Sequence, residues 1–366
     1  MKIVIFAGGT GRRLWPLSRQ SSPKQFGAIM GEKSTIQLAV DRVLPIYGAE
    51  NIFLSTNKRY RHILQEQLPQ LPVANLIAEP ERRDLAGAVG LAFAHLASQL
   101  GEQARHDEPV AILWGDNLMD DVAAFQQILD VAQTAVKNNQ AQIVFMGETP
   151  RYANENLGWI ELGRKLGAAA GHPYYERKSF VYRPPLEQCQ QMFSTGNWVW
   201  NTGYFVTTVG FIQELYHRHM PQMAAQLDQI QAAIGTAEYE YTLNKIYPQL
   251  ETISFDDAIL VHIKPEQAAV LHGKMGWSDP GTLYALKEAV KPDKNDNMVQ
   301  GLVLDQDSHD CLLYNDEEGK LLAVIGLEGM VVVNTADALL VVHKDDVPRV
   351  KQLVNSLVGS ELERFS

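Results

Sequence analysis

What this sequence lacks narrows it first. Across 366 residues there are two cysteines, Cys189 and Cys311. They lie far apart and form no metal-ligand spacing, so the expectation is buried free thiols in a reducing compartment. No apolar run approaches the length of a membrane span. The one at the N-terminus is short and ends in glycines, which is not the form of a signal peptide. Basic residues are in deficit: 32 Lys and Arg against 43 Asp and Glu leave a net charge of −11. That balance argues against nucleic acid or an anionic membrane as partner, and any anionic substrate must be held by locally placed cations. His217, His219 and His262 are not spaced for a metal and read as surface or packing residues. Low-complexity tracts and exact internal repeats are absent too. A cytoplasmic protein is the expectation.

What is present begins with the first residues. Lys2-Ile3-Val4-Ile5-Phe6 is a short β-branched run of the kind that forms a buried strand. It runs into Ala7-Gly8-Gly9-Thr10-Gly11, where glycine lets the backbone turn tightly and bring its N–H groups close to an anion. Arg12 and Arg13 follow, and Lys24 lies one loop further on. Strand, glycine loop and clustered cations describe a phosphate cradle.

The length suggests a main domain and a smaller one. Helical patterns over 34–44, 60–67, 85–100 and 122–138 alternate with strand patterns over 51–55, 74–78, 110–114 and 143–147. Such alternation predicts an α/β fold with a mostly parallel sheet, whose ligands sit beyond the carboxyl ends of the strands. Gly115-Asp116-Asn117 lies at one such end. Residues 163–173 read as a glycine-rich loop, 180–185 and 198–207 as strand edges around a polar turn, and 211–234 as a helix. Residues 252–260 mix a short strand with a helix start. The boundaries are 1–290 for the main domain, a polar linker at 291–297, and a small β domain over 298–366 with a helix at 347–357.

Ala7 to Arg19 and Pro23-Lys24-Gln25-Phe26 resemble the AGGxGTRLWPLSR…PKQF signature of the bacterial mannose-1-phosphate guanylyltransferases, a family of sugar-1-phosphate nucleotidyltransferases. Arg12 stands where that pattern has threonine. Trp198-Val199-Trp200-Asn201-Thr202-Gly203 is similar to the family's WNSG turn, Gly276-Trp277-Ser278-Asp279-Pro280-Gly281 to its GWSDVG, and 324–342 to its C-terminal β segment. A single glycine loop is weak evidence; this set in this order is specific.

The resemblance implies a Rossmann-like nucleotidyltransferase domain with a mixed, mostly parallel sheet, and a C-terminal partial left-handed β-helix. It implies joining of a sugar-1-phosphate to a nucleoside triphosphate with release of pyrophosphate, GTP and mannose-1-phosphate giving GDP-mannose. Arg13, Lys24, Asp116 and Asp279 would be catalytic, with Asp116 and Asp279 sharing one Mg²⁺. Ala7, Gly8, Gly9, Thr10, Gly11, Arg12, Glu79, Arg83, Asp84 and Gly115 would bind the nucleotide. Gly158, Arg183 and Asn201 would bind the sugar phosphate. A homodimer is expected, with neither nucleic acid nor membrane as partner. On residue type alone, an aspartate at a strand end or turn also serves as a helix cap or Asx-turn.

The departures fall at binding positions. Asp84, Leu85 and Gly87 replace the family's asparagine, threonine and proline beside the base. Tyr182 and Arg183 replace a glutamate and a lysine, and Val261 stands where a glutamate contacts mannose. The triphosphate half of the pattern is thus intact, while the half that selects base and sugar has drifted. Other base and sugar pairs, or a weakly active nucleotide-sugar-binding subunit, are the alternative readings.

Overall fold

The computed structural model of the chain describes residues 1–9, 12–19, 23–27, 33–169, 171–291, 293 and 295–366, Arg12 by its backbone only. Thr10, Gly11 and the Arg12 side chain therefore lie outside the described residues. The first strands in chain order are β1 (Lys2–Phe6), β2 (Ile52–Asn57), β3 (Leu76–Glu79), β4 (Pro109–Trp114), β5 (Leu118–Met119) and β6 (Ile143–Glu148). There follow β7 (Gly158–Ala169), β8 (His172–Tyr182), β9 (Trp198–Thr208), β10 (Ala268–Gly273) and β11 (Trp277–Ser278). Nine of these form one sheet in the order β3-β2-β1-β4-β9-β6-β10-β8-β7. The strands β1, β2, β3, β4, β6, β7 and β10 point one way, with β8 and β9 against them. This is the mixed, mostly parallel sheet expected of the alternating pattern.

The helix Asp84–Gln99 packs closely because it carries small residues where it meets its neighbours. A Cβ on Gly90 would stand 2.4 Å from Leu227 on the helix Pro221–Ala233. The predicted helix over 211–234 is two helices, Val209–His219 and Pro221–Ala233, because Pro221 starts a new first turn more readily than it continues an old one. Over 252–260 the regular structure is a short helix, Phe255–Ala258, capped by Ser254, and a 3₁₀ turn, Leu260–His262.

Two other expectations are corrected. Residues 163–173 lie mostly in the β7–β8 ribbon rather than a loop. Their glycines serve close approach between strands: a Cβ on Gly167 would lie 2.4 Å from the Tyr174 hydroxyl. The stretch 198–207 is a strand between β4 and β6, not a sheet edge around a turn. Gly203, at φ 75°, takes up the irregularity there, and a Cβ on it would stand 2.4 Å from the Trp114 indole nitrogen. Cys189 and Cys311 are both free and buried. Among the described residues, no helix is long and apolar enough to cross a membrane.

Contacts group the chain into two compact units. One holds Met1–Gly8, Val40–Trp114 and Met119–Trp277, and with them the large sheet. The other gathers Gly9–Ala39, Gly115–Leu118 and Ser278–Ser366. This grouping differs from a division at the 291–297 linker, and the second unit's core shows why. Leu14, Trp15, Leu118, Leu283 and Leu286 are buried in one cluster with Met298, Leu312, Val331, Val333 and Val354 of the C-terminal region.

That region contains β12 (Met298–Gln300), β13 (Val303–Gln306), β14 (Leu312–Asn315), β15 (Leu322–Ile325), β16 (Met330–Asn334) and β17 (Leu339–His343). The strands β12, β14 and β16 pair in parallel, as do β13 and β15, and β17 returns antiparallel to β16. The expected coil of short parallel strands is present. Asn315 and Asn334 sit in register on neighbouring turns, joined side chain to side chain at 2.7 Å.

One buried carboxylate ties the coil to the helix Leu283–Val290. Asp310 accepts from Lys287 (2.5 Å), Lys344 (2.7 Å) and the Tyr284 hydroxyl (2.7 Å). Burial alone would raise its pKa, but these three donors outweigh burial and hold it at about 2. With the folded pKa depressed, the stability it contributes is complete above about pH 4, the unfolded carboxylate value, and is lost as pH falls through 2. Asp310→Asn, which leaves Lys287 buried and unpaired, should cost about 3 kcal/mol in chemical unfolding. It should also flatten the stability change between pH 4 and 2. Equal acid slopes in wild type and variant would contradict this account.

Candidate active site

The predicted catalytic side chains stand in short helical turns or just beyond strands: Arg13 inside the 3₁₀ turn Arg12–Leu14, the others as follows. The chain leaves the sheet after β1 by way of Ala7, whose N–H donates to Ser55 O at 2.7 Å and whose carbonyl accepts from the Thr56 hydroxyl at 2.9 Å. Gly8 and Gly9 then stand exposed, with nothing among the described residues within 4 Å of a would-be Cβ, and Gly9 has φ 150°. Lys24 opens a one-turn 3₁₀ helix, Lys24–Phe26, after Pro23. Asp116 follows β4 by two residues, behind the buried Gly115. Asp279 lies in a tight turn closed by the Gly281 N–H donating to the Asp279 carbonyl at 2.7 Å.

Within the second unit these residues meet. The Lys24 ammonium, on a side chain only 5% exposed, stands 3.5 Å from Asp116 and 3.6 Å from Asp279. The two carboxylates keep 43% and 42% of their side-chain exposure. Desolvation by surrounding protein, then the charge of Asp116, raise the Asp279 carboxyl above its ordinary value, with Lys24 and Arg13 drawing it back. The Arg13 guanidinium lies over Gly281, 3.4 Å from where a Cβ would be. The arrangement is a buried cation between two half-open carboxylates, with a second cation alongside.

A divalent ion fits this donor set. Two hard carboxylate oxygens, close enough to repel one another and open enough to admit other ligands, match an ion that binds one or two carboxylates and fills its shell with phosphates and water. Among the described residues, no group of three or more His, Cys, Asp or Glu side chains forms a cage of its own.

The first unit holds the residues expected near base and sugar. Glu79 ends β3, buried, and accepts a hydrogen bond of 2.6 Å from the Tyr247 hydroxyl. Burial lifts its pKa to about 7, with the Tyr247 bond and the Arg82 charge pulling down. Arg83 pairs with Glu81 at 3.0 Å, and its Nε is buried with no hydrogen-bond partner among the described residues. Asp84 starts its helix at φ 59°, and its own carboxylate accepts the Leu85 N–H at 2.8 Å. Asparagine and aspartate are the side chains that most readily adopt this left-handed backbone, so the exchange of one for the other preserves the turn.

Gly158, Asn201 and Tyr182 share one row of the sheet, Gly158 pairing with Asn201 on one side and Tyr182 on the other. Arg183 follows at φ 48°, its guanidinium 5.1 Å from the Tyr182 ring and hydrogen-bonded to the Asn156 carbonyl at 3.3 Å. Asn201 sits on a strand rather than at a turn tip, its side-chain oxygen accepting the Gly203 N–H at 3.1 Å. His217 pairs with Asp228 at 2.9 Å, and the rings of His219 and His262 stack 4.0 Å apart. The first is a surface pair and the second a ring stack.

Tyr247 was not legible as a site residue. It lies in a stretch with no motif, and Gly87 is its only trace. A Cβ on Gly87 would stand 3.1 Å from the Tyr247 hydroxyl, so the small residue and the tyrosine accommodate each other.

Fold and site define a class, the α/β transferases that act on phosphates. The chain belongs to the nucleotidyl transferase family, matched over residues 2–296, and residues 301–357 match the MannoseP isomerase/GMP-like beta-helix domain. It is 32% identical over 358 residues to the alginate biosynthesis protein AlgA of Pseudomonas aeruginosa, covering 97% of this chain and 71% of that one. To the mannose-1-phosphate guanylyltransferase RfbM of Salmonella typhimurium it is 30% identical, covering 99% and 73%. A crystal structure titled mannose-1-phosphate geranyltransferase, from Thermus thermophilus, superposes with a TM-score of 0.84 at 28% identity, over 97% of this chain and 98% of that one.

The Glu79 shift gives a stability test. With its folded pKa raised to about 7 from 4.5, the proton it retains supports folding below pH 4.5, and that support is lost as pH rises through 7. Glu79→Gln should therefore remove a fall in stability between pH 4.5 and 7 that urea titrations of the wild type display. A wild type with a flat profile over that window would refute the shift.

Proposed function

We propose that the protein joins mannose-1-phosphate to GTP, forming GDP-mannose and pyrophosphate. The observation that carries the reading is the buried Lys24 ammonium between Asp116 and Asp279, with Arg13 beside them. In this reaction a phosphate oxygen of the sugar-1-phosphate attacks the α-phosphorus. The bond from that phosphorus to the bridging oxygen breaks, and pyrophosphate leaves with the electron pair. The attacking oxygen is already anionic, so no protein nucleophile and no general base are required. The work left to the protein is to collect negative charge and align it.

Lys24 suits that work as a compact charge whose three N–H donors can be shared between the α-phosphate and the sugar phosphate. Arg13 offers a planar fork for the triphosphate. Gly8 and Gly9, which carry no side chain and lie exposed, let the backbone approach it. Asp116 and Asp279 would hold Mg²⁺, which when bound supplies positive charge against the phosphates. In the same reading Glu79, Arg83 and Asp84 serve the base, while Gly158, Asn201 and Arg183 serve the sugar phosphate. Support for this substrate pair comes from relatives bearing that name over nearly the whole chain.

A second reading keeps the chemistry and changes the sugar or the base. Its support is the loss of acid groups at Tyr182 and Val261, which are 66% and 62% exposed and offer no carboxylate to a sugar hydroxyl. The reading also includes a cytoplasmic homodimer associating through the C-terminal coil, where Leu304 and Ile325 are 59% and 70% exposed. Light scattering checks that stoichiometry.

Pyrophosphate release, measured over a panel of nucleoside triphosphates and sugar-1-phosphates with Mg²⁺, tests the proposal. GTP with mannose-1-phosphate should turn over fastest, and Asp116→Asn or Asp279→Asn should reduce turnover at least about a hundredfold. Another pair turning over faster selects the second reading. Absence of turnover with every pair sinks the enzyme, and turnover only with an added partner protein makes it a binding subunit.

A further inference from the structure

The turn that delivers Asp279 is gripped from both sides by a pair of residues to which neither the sequence nor the chemistry assigns a role. Glu148 ends β6 with its side chain 1% exposed. It accepts the Met275 N–H at 2.9 Å, and the N–H groups of Gly276 and Trp277 also bond to it. Arg151, three residues further on and 3.5 Å from the Glu148 carboxylate, donates to the Trp277 carbonyl at 3.0 Å. The same segment is held at its other carbonyls. The Asp121 N–H donates to Met275 O at 2.9 Å and the Asp120 N–H to Gly276 O at 3.3 Å. Gly276 is at φ 65°, with no room for a Cβ beside Asp120.

The chain connects these bonds to the chemistry. Trp277 is two residues before Asp279, and Asp120 is four after Asp116. A segment whose N–H groups converge on one buried carboxylate cannot slide or rotate without leaving that carboxylate unsatisfied. We infer that Glu148 and Arg151 are positioning residues that fix the backbone leading into Asp279, and so the spacing at which Asp279 and Asp116 present their oxygens. The inference rests on the reading of those two aspartates as the divalent-ion carboxylates. It adds two residues whose role runs through the backbone of 275–277.

The test uses the full chain with Glu148→Ala, Glu148→Gln and Arg151→Met, and Asp279→Asn as comparator. Arg151 is 42% exposed, so its variant folds even where Glu148→Ala does not. Three quantities are measured: amide exchange at 275–277, affinity for Mn²⁺ with inorganic pyrophosphate by electron paramagnetic resonance, and the split between kcat and KM. Faster exchange at 275–277, Mn²⁺ affinity weaker by at least about tenfold, and a lower kcat at nearly constant KM for the nucleotide are expected. Glu148→Gln, which keeps an acceptor, should fall between wild type and Glu148→Ala.

Unchanged exchange overturns the grip itself. Faster exchange with wild-type Mn²⁺ affinity and kcat overturns the positioning role, leaving Glu148 and Arg151 as fold residues only. Should Asp279→Asn bind Mn²⁺ as the wild type does, the aspartate reading fails, and the positioning role with it, whatever the exchange data report.

Discussion

Two like charges do not approach each other unaided, and the site centred on Lys24 depends on making Asp116 and Asp279 do so. At an effective dielectric near 20, a pair of carboxylates a few ångströms apart repel by about 3–4 kcal/mol. Lys24, 3.5 Å from one and 3.6 Å from the other, attracts each at least as strongly and offsets this repulsion. Holding the three groups in that geometry falls to anchors close by in the chain. Leu118 follows Asp116 by two residues, Leu283 follows Asp279 by four, and Leu14 and Trp15 follow Arg13 directly. All are buried in the core of the C-terminal coil. A buried leucine contributes about 1.5–3 kcal/mol, so a few such anchors fix the segments that carry the charges. The coil is thus the foundation of the charge cluster, although it contributes none of the four charged groups.

The parts of the fold that could be read from sequence are those where local chemistry and final position agree. The β1 run is apolar because it is buried, and the glycines after it free the backbone for an exposed loop. Asp116 was legible as a charge ending an apolar strand. The same signal stood at Glu148 after 143–147, where its meaning depended on backbone N–H groups arriving from 275–277. No periodicity carries that. The β7–β8 ribbon was hidden for a related reason. Its glycines are there for contact across strands at Gly167, and in a single sequence such a glycine looks like a turn. The gathering of 9–39, 115–118 and 278–366 into one body likewise comes from side-chain burial between distant segments.

The drifted positions are not all of one kind. Asp84 for asparagine preserves a left-handed start to its helix and is conservative in backbone terms. Gly87 for proline is bound up with Tyr247, whose hydroxyl occupies the space and holds Glu79. Arg183 spends its guanidinium on the Tyr182 ring and the Asn156 carbonyl. At the positions proposed for the base the changes thus remodel a buried hydrogen bond, whereas at those proposed for the sugar they alter an exposed surface.

The interleaving of the second unit also sets an order in time. Arg13 and Lys24 leave the ribosome early, while Asp279 and the coil that anchors the loops come some 250 residues later. At typical synthesis rates that is a wait of roughly 13 to 50 seconds. Throughout it the nascent chain carries a lysine destined for burial whose second acidic partner, Asp279, does not yet exist. The large sheet, by contrast, gains most of its strands as the chain grows. The cluster of Arg13, Lys24, Asp116 and Asp279 therefore comes together only after most of the large sheet has been made.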